Sequence, residues 1–422
     1  SFRKALDVDP EAISPRLQLA RMSVAARDIE TASNHIESIL ASDAENVPAL
    51  YLLASLEAAQ GEQEDALKLY TTIAGLDPQD PQAPYKAGLQ LVDLNRPEEA
   101  KAISEDLIQK FPNRGEGYRL KGIVLLKSGD YADAVTSLQV ANKRQPSVDA
   151  YYYLGLCFFH MQDLETSLSQ FRVALDNNPS FVQARIMTGM ILLQQERIDD
   201  AILEINRVID QEPDNPLAHN LLGNAYLAQH KYEQGMLELN RAIELDPNIV
   251  QAHVKKGIVN LSIGNVSQGE TDLLNAVEIA PDLLKSRHIL FFHYLRQKEF
   301  TKALSLMEEA LSGSEQDAVL YNNMAAAMFF QNMPEQGLEF LEEAKLADPT
   351  YVGTYMNLAG FYSSRFDFDQ ALDNYEKVTA LEPENLQALL EAAGLYEMQN
   401  RDEEALRYLK QARSLRVPEG YL

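Results

Sequence analysis

A proline that can end a helix recurs along this chain at a nearly constant interval. Successive prolines stand 34 residues apart, except for one interval of 33 and one of 68. Each follows an amphipathic stretch, and a residue without an amide hydrogen stops a helix at that point. The recurring prolines are Pro78, Pro112, Pro146, Pro179, Pro213, Pro247, Pro281, Pro349 and Pro383. A period in this range predicts a chain built from repeated supersecondary units.

Two small residues keep a fixed distance from each proline. They stand 24 and 12 positions before it, as Gly223 and Gly235 do before Pro247. Apolar residues around them follow the spacing of three and four that marks one helix face, and this pattern breaks near His230. Each unit is therefore predicted to be two short helices, joined by a turn, that cross closely at the two small residues.

This combination resembles the tetratricopeptide repeat (TPR), whose period is 34 residues and whose small residues and proline have the same spacing. The resemblance covers essentially the whole chain. It implies an all-α fold, a right-handed α-solenoid (superhelix) of about twelve helix-turn-helix units. Residues 1–12 are expected to be the second-helix remnant of a preceding repeat, 13–283 repeats 1–8, 284–317 an irregular ninth repeat, and 318–422 repeats 10–12 with a C-terminal tail. The remnant predicts that the chain is part of a longer protein.

The ninth repeat departs from the pattern at two positions. Phe291 replaces the small residue at the helix crossing, and Glu315 replaces the proline. A large ring at a crossing overpacks it, so we expect a wider helix separation at Phe291 than at Gly257 or Ala325. The repeat either repacks locally or forms a kink or hinge between two arrays.

Charge and cysteine content exclude several classes of function. The chain has 63 acidic and 37 basic residues, a formal net charge of −26, which argues against nucleic acid or an anionic membrane as partner. No apolar run is long enough to span a bilayer, so no transmembrane segment is expected in this chain. Cys157 is the only cysteine and lies in an apolar run, which predicts a buried, unreactive thiol and no internal disulfide.

The sequence has no arrangement of residues typical of an enzyme, a cofactor site or a metal site. It lacks HExxH, a phosphate-binding glycine loop, GxSxG and CxxC. The seven histidines are scattered: His219 and His253 share one repeat position, whereas His288 and His293 are five residues apart. Two ligands on one helix face need a spacing of four. We therefore expect no catalysis, no cofactor and no metal.

In the family that the chain resembles, first helices line a concave groove through repeat positions two, five, nine and twelve. Here those positions carry aromatic, apolar and amide side chains and almost no carboxylates, although acidic residues dominate the chain. Such a groove fits an extended peptide or a partner helix, because amides can pair with a peptide backbone. The alternative is that these side chains pack against one another. The expected binding residues are Tyr152, Phe159, Met190, Asn220, Asn224, Phe292, Asn322 and Phe329.

One TPR subfamily grips a C-terminal carboxylate with Lys and Arg beside Asn. Asn220 and Asn224 occupy those positions here, and no repeat has the basic pair, so this clamp is not expected. A cytoplasmic TPR adaptor or co-chaperone, or the regulatory TPR part of a larger enzyme, stays open as an alternative function.

A closer resemblance concerns several runs, among them EGYRLKGIVLLKSGDYADAV and NPLAHNLLGNAYLA. They are similar to the long TPR lipoproteins of the bacterial PEP-CTERM sorting and exopolysaccharide system. This resemblance implies a periplasmic or outer-membrane-associated interaction scaffold with a protein or peptide ligand, acting in envelope exopolysaccharide or protein export. Its membrane tether would lie outside this chain. A cytoplasmic location stays open.

Overall fold

The computed structural model of the protein describes residues 2–26 and 28–415, except for the side chain of Arg3. These residues form 25 α-helices and no strand, which confirms the predicted all-α repeat solenoid. Within the same residues, no helix combines the length and the apolar character that crossing a bilayer requires. The C-terminal tail predicted after repeat 12, and the end of that repeat, lie outside the described residues.

The chain divides into two compact units, residues 1–229 and 230–422. The first unit contains α1 (Phe2–Val8), α2 (Ile13–Ala25), α3 (Ile29–Ser42), α4 (Val47–Gln60), α5 (Gln63–Leu76), α6 (Gln82–Asp93), α7 (Pro97–Lys110), α8 (Glu116–Ser128), α9 (Tyr131–Arg144), α10 (Val148–His160), α11 (Leu164–Asn177), α12 (Val182–Gln194), α13 (Ile198–Gln211) and α14 (Pro216–Ala228). The second unit contains α15 (Tyr232–Leu245), α16 (Val250–Ser262), α17 (Val266–Ile279), α18 (Leu284–Gln297), α19 (Phe300–Glu308), α20 (Asp317–Phe330), α21 (Pro334–Ala347), α22 (Val352–Ser364), α23 (Phe368–Leu381), α24 (Leu386–Met398) and α25 (Asp402–Ser414).

Helix ends fall where the sequence places them. Each second helix that precedes a recurring proline ends two residues before it, as α15 does at Leu245 before Pro247. Several first helices begin at a side-chain cap: Oδ1 of Asn46, for example, accepts from the backbone nitrogen of Ala49 at 3.1 Å. Such a cap satisfies an amide that has no partner within the helix. The equivalent caps of later repeats are Ser147, Asn215 and Asn385.

The small residues lie where paired helices come together, as predicted. A Cβ placed at Gly122 would lie 2.5 Å from Cγ of Leu138 on the partner helix, too close for any residue but glycine. At the crossing of α10 and α11, Oγ of Ser167 donates to the carbonyl of Gly155 at 2.7 Å. Ser167 is therefore small enough for the crossing and also forms a hydrogen bond across it.

The turns inside the repeats adopt the left-handed conformation. Six of the turn residues are glycine or asparagine, which tolerate this conformation best, and they have φ between 56° and 89°, namely Gly61, Asn95, Gly129, Gly264, Asn332 and Asn400. Five residues without that preference adopt it at the same point of other repeats, namely Gln162, Glu196, His230, Lys298 and Phe366. Close packing of the two helices fixes the turn, so the local cost of about 1–2 kcal/mol is imposed on whichever residue stands there.

The ninth repeat is perturbed inside the second unit. Its second helix, α19, has nine residues, whereas the second helices before and after it have 14. Phe291 is fully buried in a cluster with Leu290 and Met307. Nη1 of buried Arg287 donates to the carbonyl of Leu306 at 2.9 Å, near the end of the shortened helix. The boundary of the two compact units lies between residues 229 and 230, so residues 284–317 lie wholly within the second unit.

Candidate functional site

In the first unit, three of the predicted binding residues pack against their neighbours. The ring of Tyr152 contacts the rings of Phe171 and Phe181, with centroids 5.8 and 5.0 Å apart. Phe159 and Met190 lie against the same core cluster. Burial also raises the pKa of the Tyr152 hydroxyl above its usual range. These contacts stabilise the stack of repeats, and because all three side chains remain partly exposed, their role in ligand binding stays a prediction.

The amides of Asn220 and Asn224 lie one turn apart on α14. Asn220 is 4% exposed. Among the described residues, neither side-chain carbonyl oxygen has a hydrogen-bond partner. A buried carbonyl without a partner costs about 1–3 kcal/mol, a penalty that a donor from a bound peptide would relieve. The proposed pairing of these amides with a peptide backbone stays a prediction.

Charged residues on the same face of the first unit are held between neighbouring repeats. The guanidinium of Arg119 lies over the ring of Tyr85, 5.2 Å from its centroid. Burial raises the pKa of the Tyr85 hydroxyl to about 12. Glu116 is fully buried and accepts from Nε2 of Gln82 at 2.6 Å and from Nη2 of Arg114 at 2.9 Å. This face of the first unit therefore consists mainly of interior contacts.

The equivalent face of the second unit is more open. Phe292 on α18 is 53% exposed, and its ring meets the edge of the Phe291 ring with centroids 5.3 Å apart. Ile258, at the same ninth position one repeat earlier, is also exposed. The next two repeats place Ala326 and Gly360 at this position. At the ninth repeat position, the large side chains of Ile258 and Phe292 are thus followed by a small residue and a glycine, which leave open space.

That open space is a pocket of about 400 Å³ on α20, α22 and the turn after α20. Its volume falls in the range of about 300–1,000 Å³ typical of ligand sites. The pocket contains two predicted binding residues, Asn322 and Phe329, and none of its lining side chains is ionisable. The lining residues are Asn322, Ala326, Phe329, Asn332, Pro334, Met356, Asn357, Gly360, Phe361 and Ser364.

Asn322 is engaged by the fold rather than free for a ligand. Its Nδ2 donates to the carbonyl of Ala318 at 2.7 Å and to Oγ1 of buried Thr354 at 2.8 Å. Its Oδ1 accepts from Nδ2 of Asn357 at 2.7 Å. Asn357 is exposed, and its own Oδ1 makes no hydrogen bond to the described residues. The amide that faces a ligand is therefore that of Asn357.

Two aromatic rings form one wall of the pocket. The rings of Phe329 and Phe361 are stacked with centroids 5.9 Å apart. The guanidinium of Arg365 lies 4.8 Å from the Phe361 centroid, and its Nη2 is 2.6 Å from Oε1 of Glu335. Glu335 neutralises this basic side chain, and no lining residue is ionisable, so the pocket presents an uncharged and mainly apolar surface.

Gly360 leaves the middle of the pocket open. It is helical, and a Cβ placed on it would meet no atom within 4 Å. Glycine inside a helix costs about 0.5–1 kcal/mol relative to alanine, so close packing does not explain its presence here. Gly360 and Asn357 were not among the binding residues predicted from the sequence, because the prediction used large side chains at four fixed positions of the repeat. The absence of a side chain at position nine was the feature that could have revealed the pocket.

The two histidines at one repeat position form inter-repeat hydrogen bonds. Nε2 of His219 lies 2.9 Å from the carbonyl of Pro213, and Nε2 of His253 lies 3.0 Å from that of Pro247. Tyr355 makes the same bond through its hydroxyl, six residues after its own proline. Polar side chains at the fourth position thus satisfy the carbonyl of the helix-ending proline. Across the part of the chain that the structure describes, no three His, Cys, Asp or Glu side chains are grouped closely enough to hold a metal ion.

Family models agree with the repeat geometry. A tetratricopeptide repeat model matches residues 17–81, 85–142, 119–182, 161–216, 186–248 and 220–283, and a second one matches 364–416. Together these matches cover well over half of the chain. The chain belongs to the tetratricopeptide repeat family.

Individual TPR relatives are more distant. A DnaJ homolog subfamily C member 7 homolog from Dictyostelium discoideum is 29% identical over 96 residues, which is 22% of this chain and 18% of that protein. The chain therefore spans about a fifth of this curated relative.

Two solved structures are similar in fold. Yeast Tom70 has a TM-score of 0.52 at 13% identity, covering 96% of this chain and 99% of that one. YrrB, a TPR protein with an unusual peptide-binding site, has a TM-score of 0.36 at 22% identity, covering 44% of this chain and 97% of that one. At this identity, the likeness to Tom70 shows the fold alone.

Proposed function

We propose that this TPR protein is a non-catalytic interaction scaffold and that its pocket holds an uncharged apolar side chain of a peptide or partner protein. The supporting observation is the open, uncharged pocket of about 400 Å³ on α20 and α22. Its contents in the free protein are water, and an apolar side chain that replaces this water against Phe329 and Phe361 gains the free energy of apolar burial.

The pocket also provides a means of aligning the backbone of a ligand. Oδ1 of Asn357 makes no bond to the described residues, while its Nδ2 is anchored to Asn322 at 2.7 Å. An anchored amide loses little conformational freedom when it accepts from a peptide N–H, so its hydrogen bond costs less to form. We expect a ligand that combines an apolar side chain with an accessible backbone amide.

The test fills the pocket without disturbing the helix. Gly360→Leu adds a side chain where a Cβ meets no atom within 4 Å, and Gly75→Leu makes the same change at a helical glycine of the first unit that is equally open. Peptides selected from a displayed random library on the natural protein should bind the Gly75→Leu protein equally well. Their affinity for Gly360→Leu should fall by about thirtyfold or more, as on loss of a central anchor. Unchanged affinity for Gly360→Leu would place the site elsewhere.

A finer proposal rests on the resemblance to the PEP-CTERM-associated lipoproteins. We propose that the partner belongs to envelope exopolysaccharide or protein export, and that the protein works in the periplasm or at the outer membrane. Fractionation of cells expressing the tagged native gene tests this location. Recovery in the cytoplasmic fraction alone would refute it and favour an adaptor or co-chaperone.

A further inference from the structure

The helix that follows the pocket by one repeat carries two carboxylates on one face. Glu391, Gly394 and Glu397 are spaced by three residues on α24, which places them along one side of the helix. Both glutamates are exposed, and neither forms an ion pair with the residues that the structure describes. A Cβ placed on Gly394 would meet no atom within 4 Å, so the space between the two carboxylates is open.

These three residues have the same register as the pocket. Gly394 follows Gly360 by 34 residues, and Glu391 follows Asn357 by 34. The helices α22, α23 and α24 share one core cluster, in which Ala359 and Ala393 both lie. The acidic notch (Glu391, Gly394 and Glu397) therefore lies one repeat beyond the apolar pocket on the same face.

The charge balance of this part of the molecule is strongly negative. From residue 318 to the end of α24 at 398 there are 13 acidic and three basic residues. Arg365 is paired with Glu335, and Lys345 is paired with Glu342. Nζ of the third, Lys377, lies over the ring of a tyrosine, 5.9 Å from its centroid. Every basic side chain of the region thus has a partner, and Arg401, four residues after Glu397, is paired with Glu404, so no described cation forms an ion pair with either notch carboxylate.

We propose that the ligand of the pocket is a basic peptide, whose Lys or Arg side chain lies between Glu391 and Glu397 while an apolar residue fills the pocket. This inference rests on the proposed function and adds the chemistry of the partner. An extended chain advances about 3.3 Å per residue and the two sites lie on successive first helices, so we expect the apolar and the basic residue within a few positions of each other.

The experiment repeats the selection from a displayed random-peptide library on three proteins. They are the natural protein, the double variant Glu391→Gln/Glu397→Gln, and the control Asp373→Asn/Glu384→Gln, which removes two exposed charges elsewhere in the second unit. The natural protein and the control should enrich Lys or Arg at one fixed position within a few residues of an apolar one. The notch variant should keep the apolar residue and lose the basic one.

Titration of a selected peptide gives the magnitude. The notch variant should bind it roughly three- to tenfold more weakly, as expected for two exposed ion pairs. Raising the salt concentration should weaken its binding to the natural protein and to the control, but hardly change its binding to the notch variant.

The outcomes separate this inference from the proposed function. Peptides that depend on Gly360 but show no basic preference overturn the inference and leave the apolar pocket in place. A basic preference that disappears equally in the control and in the notch variant also overturns it, because it then reflects overall charge. If no selected peptide loses affinity for Gly360→Leu, both the pocket and the notch are refuted.

Discussion

Nδ2 of Asn357 donates to Oδ1 of Asn322 across two neighbouring repeats, with 2.7 Å between the atoms. Asn322 is 8% exposed and already donates both of its amide hydrogens to Ala318 and Thr354. One amide therefore joins the two repeats, and the other is fixed at the surface of the pocket with its oxygen free. The sequence predicted a binding role for Asn322, whereas its hydrogen bonds join two repeats and the free amide oxygen belongs to Asn357.

This division predicts opposite effects of two alanine substitutions. Asn322→Ala should lower the free energy of unfolding by about 1–3 kcal/mol, because it removes the hydrogen bond to the buried hydroxyl of Thr354 and the bond to Asn357 of the next repeat. Asn357→Ala should change stability by less than about 1 kcal/mol, because Asn322 borders the open pocket and water can replace the lost donor there, but it should weaken peptide binding. Urea unfolding and a binding titration on both variants check this. Normal affinity of Asn357→Ala would show that its amide does not contact the ligand.

A second prediction concerns the irregular repeat. Phe291 is fully buried in its cluster, so Phe291→Ala should lower the free energy of unfolding by about 3–5 kcal/mol. The adjacent Phe292 is 53% exposed and serves as the matched control, with an expected loss below about 1 kcal/mol. Chemical denaturation measures both. A neutral or stabilising Phe291→Ala would mean that the ring overpacks the crossing, as the sequence pattern alone suggested.

The repeat architecture could be predicted because each local feature has a local physical cause. Proline cannot continue a helix beyond its first turn, and Pro247 stands two residues after the end of α15. Glycine or asparagine in a turn marks the left-handed conformation, as at Gly129 and Asn332. Gln162 could not be identified in this way, because packing of its two helices, not its own preference, imposes its φ of 62°.

The site was less predictable because it depends on which neighbours meet. Tyr152 and Phe329 have the same kind of side chain on the same helix face, yet Tyr152 packs against two rings and Phe329 borders open space. The difference comes from Gly360 in the following repeat, which leaves the space empty. A pattern of large side chains cannot reveal a pocket that is formed by a missing one.

A third prediction concerns the single cysteine. Cys157 is fully buried, and burial raises the pKa of its thiol to about 12. The thiolate is the reactive form, so iodoacetamide at pH 8 should label the folded protein very slowly and the urea-unfolded protein readily. The pKa of the thiol is therefore higher in the folded protein than in the unfolded chain, where it is near 9. The neutral thiol contributes fully to the free energy of unfolding below pH 9, and this contribution is lost as the pH rises toward 12. Cys157→Ala should lose that alkaline dependence. Rapid labelling at pH 8 without denaturant would show that the site opens locally.

The last prediction concerns strain in an exposed turn. Phe366 has a φ of 61° and is 79% exposed, whereas the corresponding turns of the neighbouring repeats carry Asn332 and Asn400. Asparagine tolerates the left-handed conformation better than phenylalanine, so Phe366→Asn should raise the free energy of unfolding by about 0.5–1 kcal/mol. The reverse change, Asn332→Phe, should lower it by a similar amount.

Urea unfolding of the Phe366 and Asn332 variants measures the two changes, and each outcome has a structural meaning. The Phe366 ring lies edge-on to that of Phe368, with centroids 6.0 Å apart, and a contact of this kind contributes about 0.5–1.5 kcal/mol. If Phe366→Asn lowers stability while Asn332→Phe also does, the aromatic contact outweighs the strain at this turn. If both changes follow the expected signs, the strain dominates, and the fold does not account for an exposed phenylalanine at position 366.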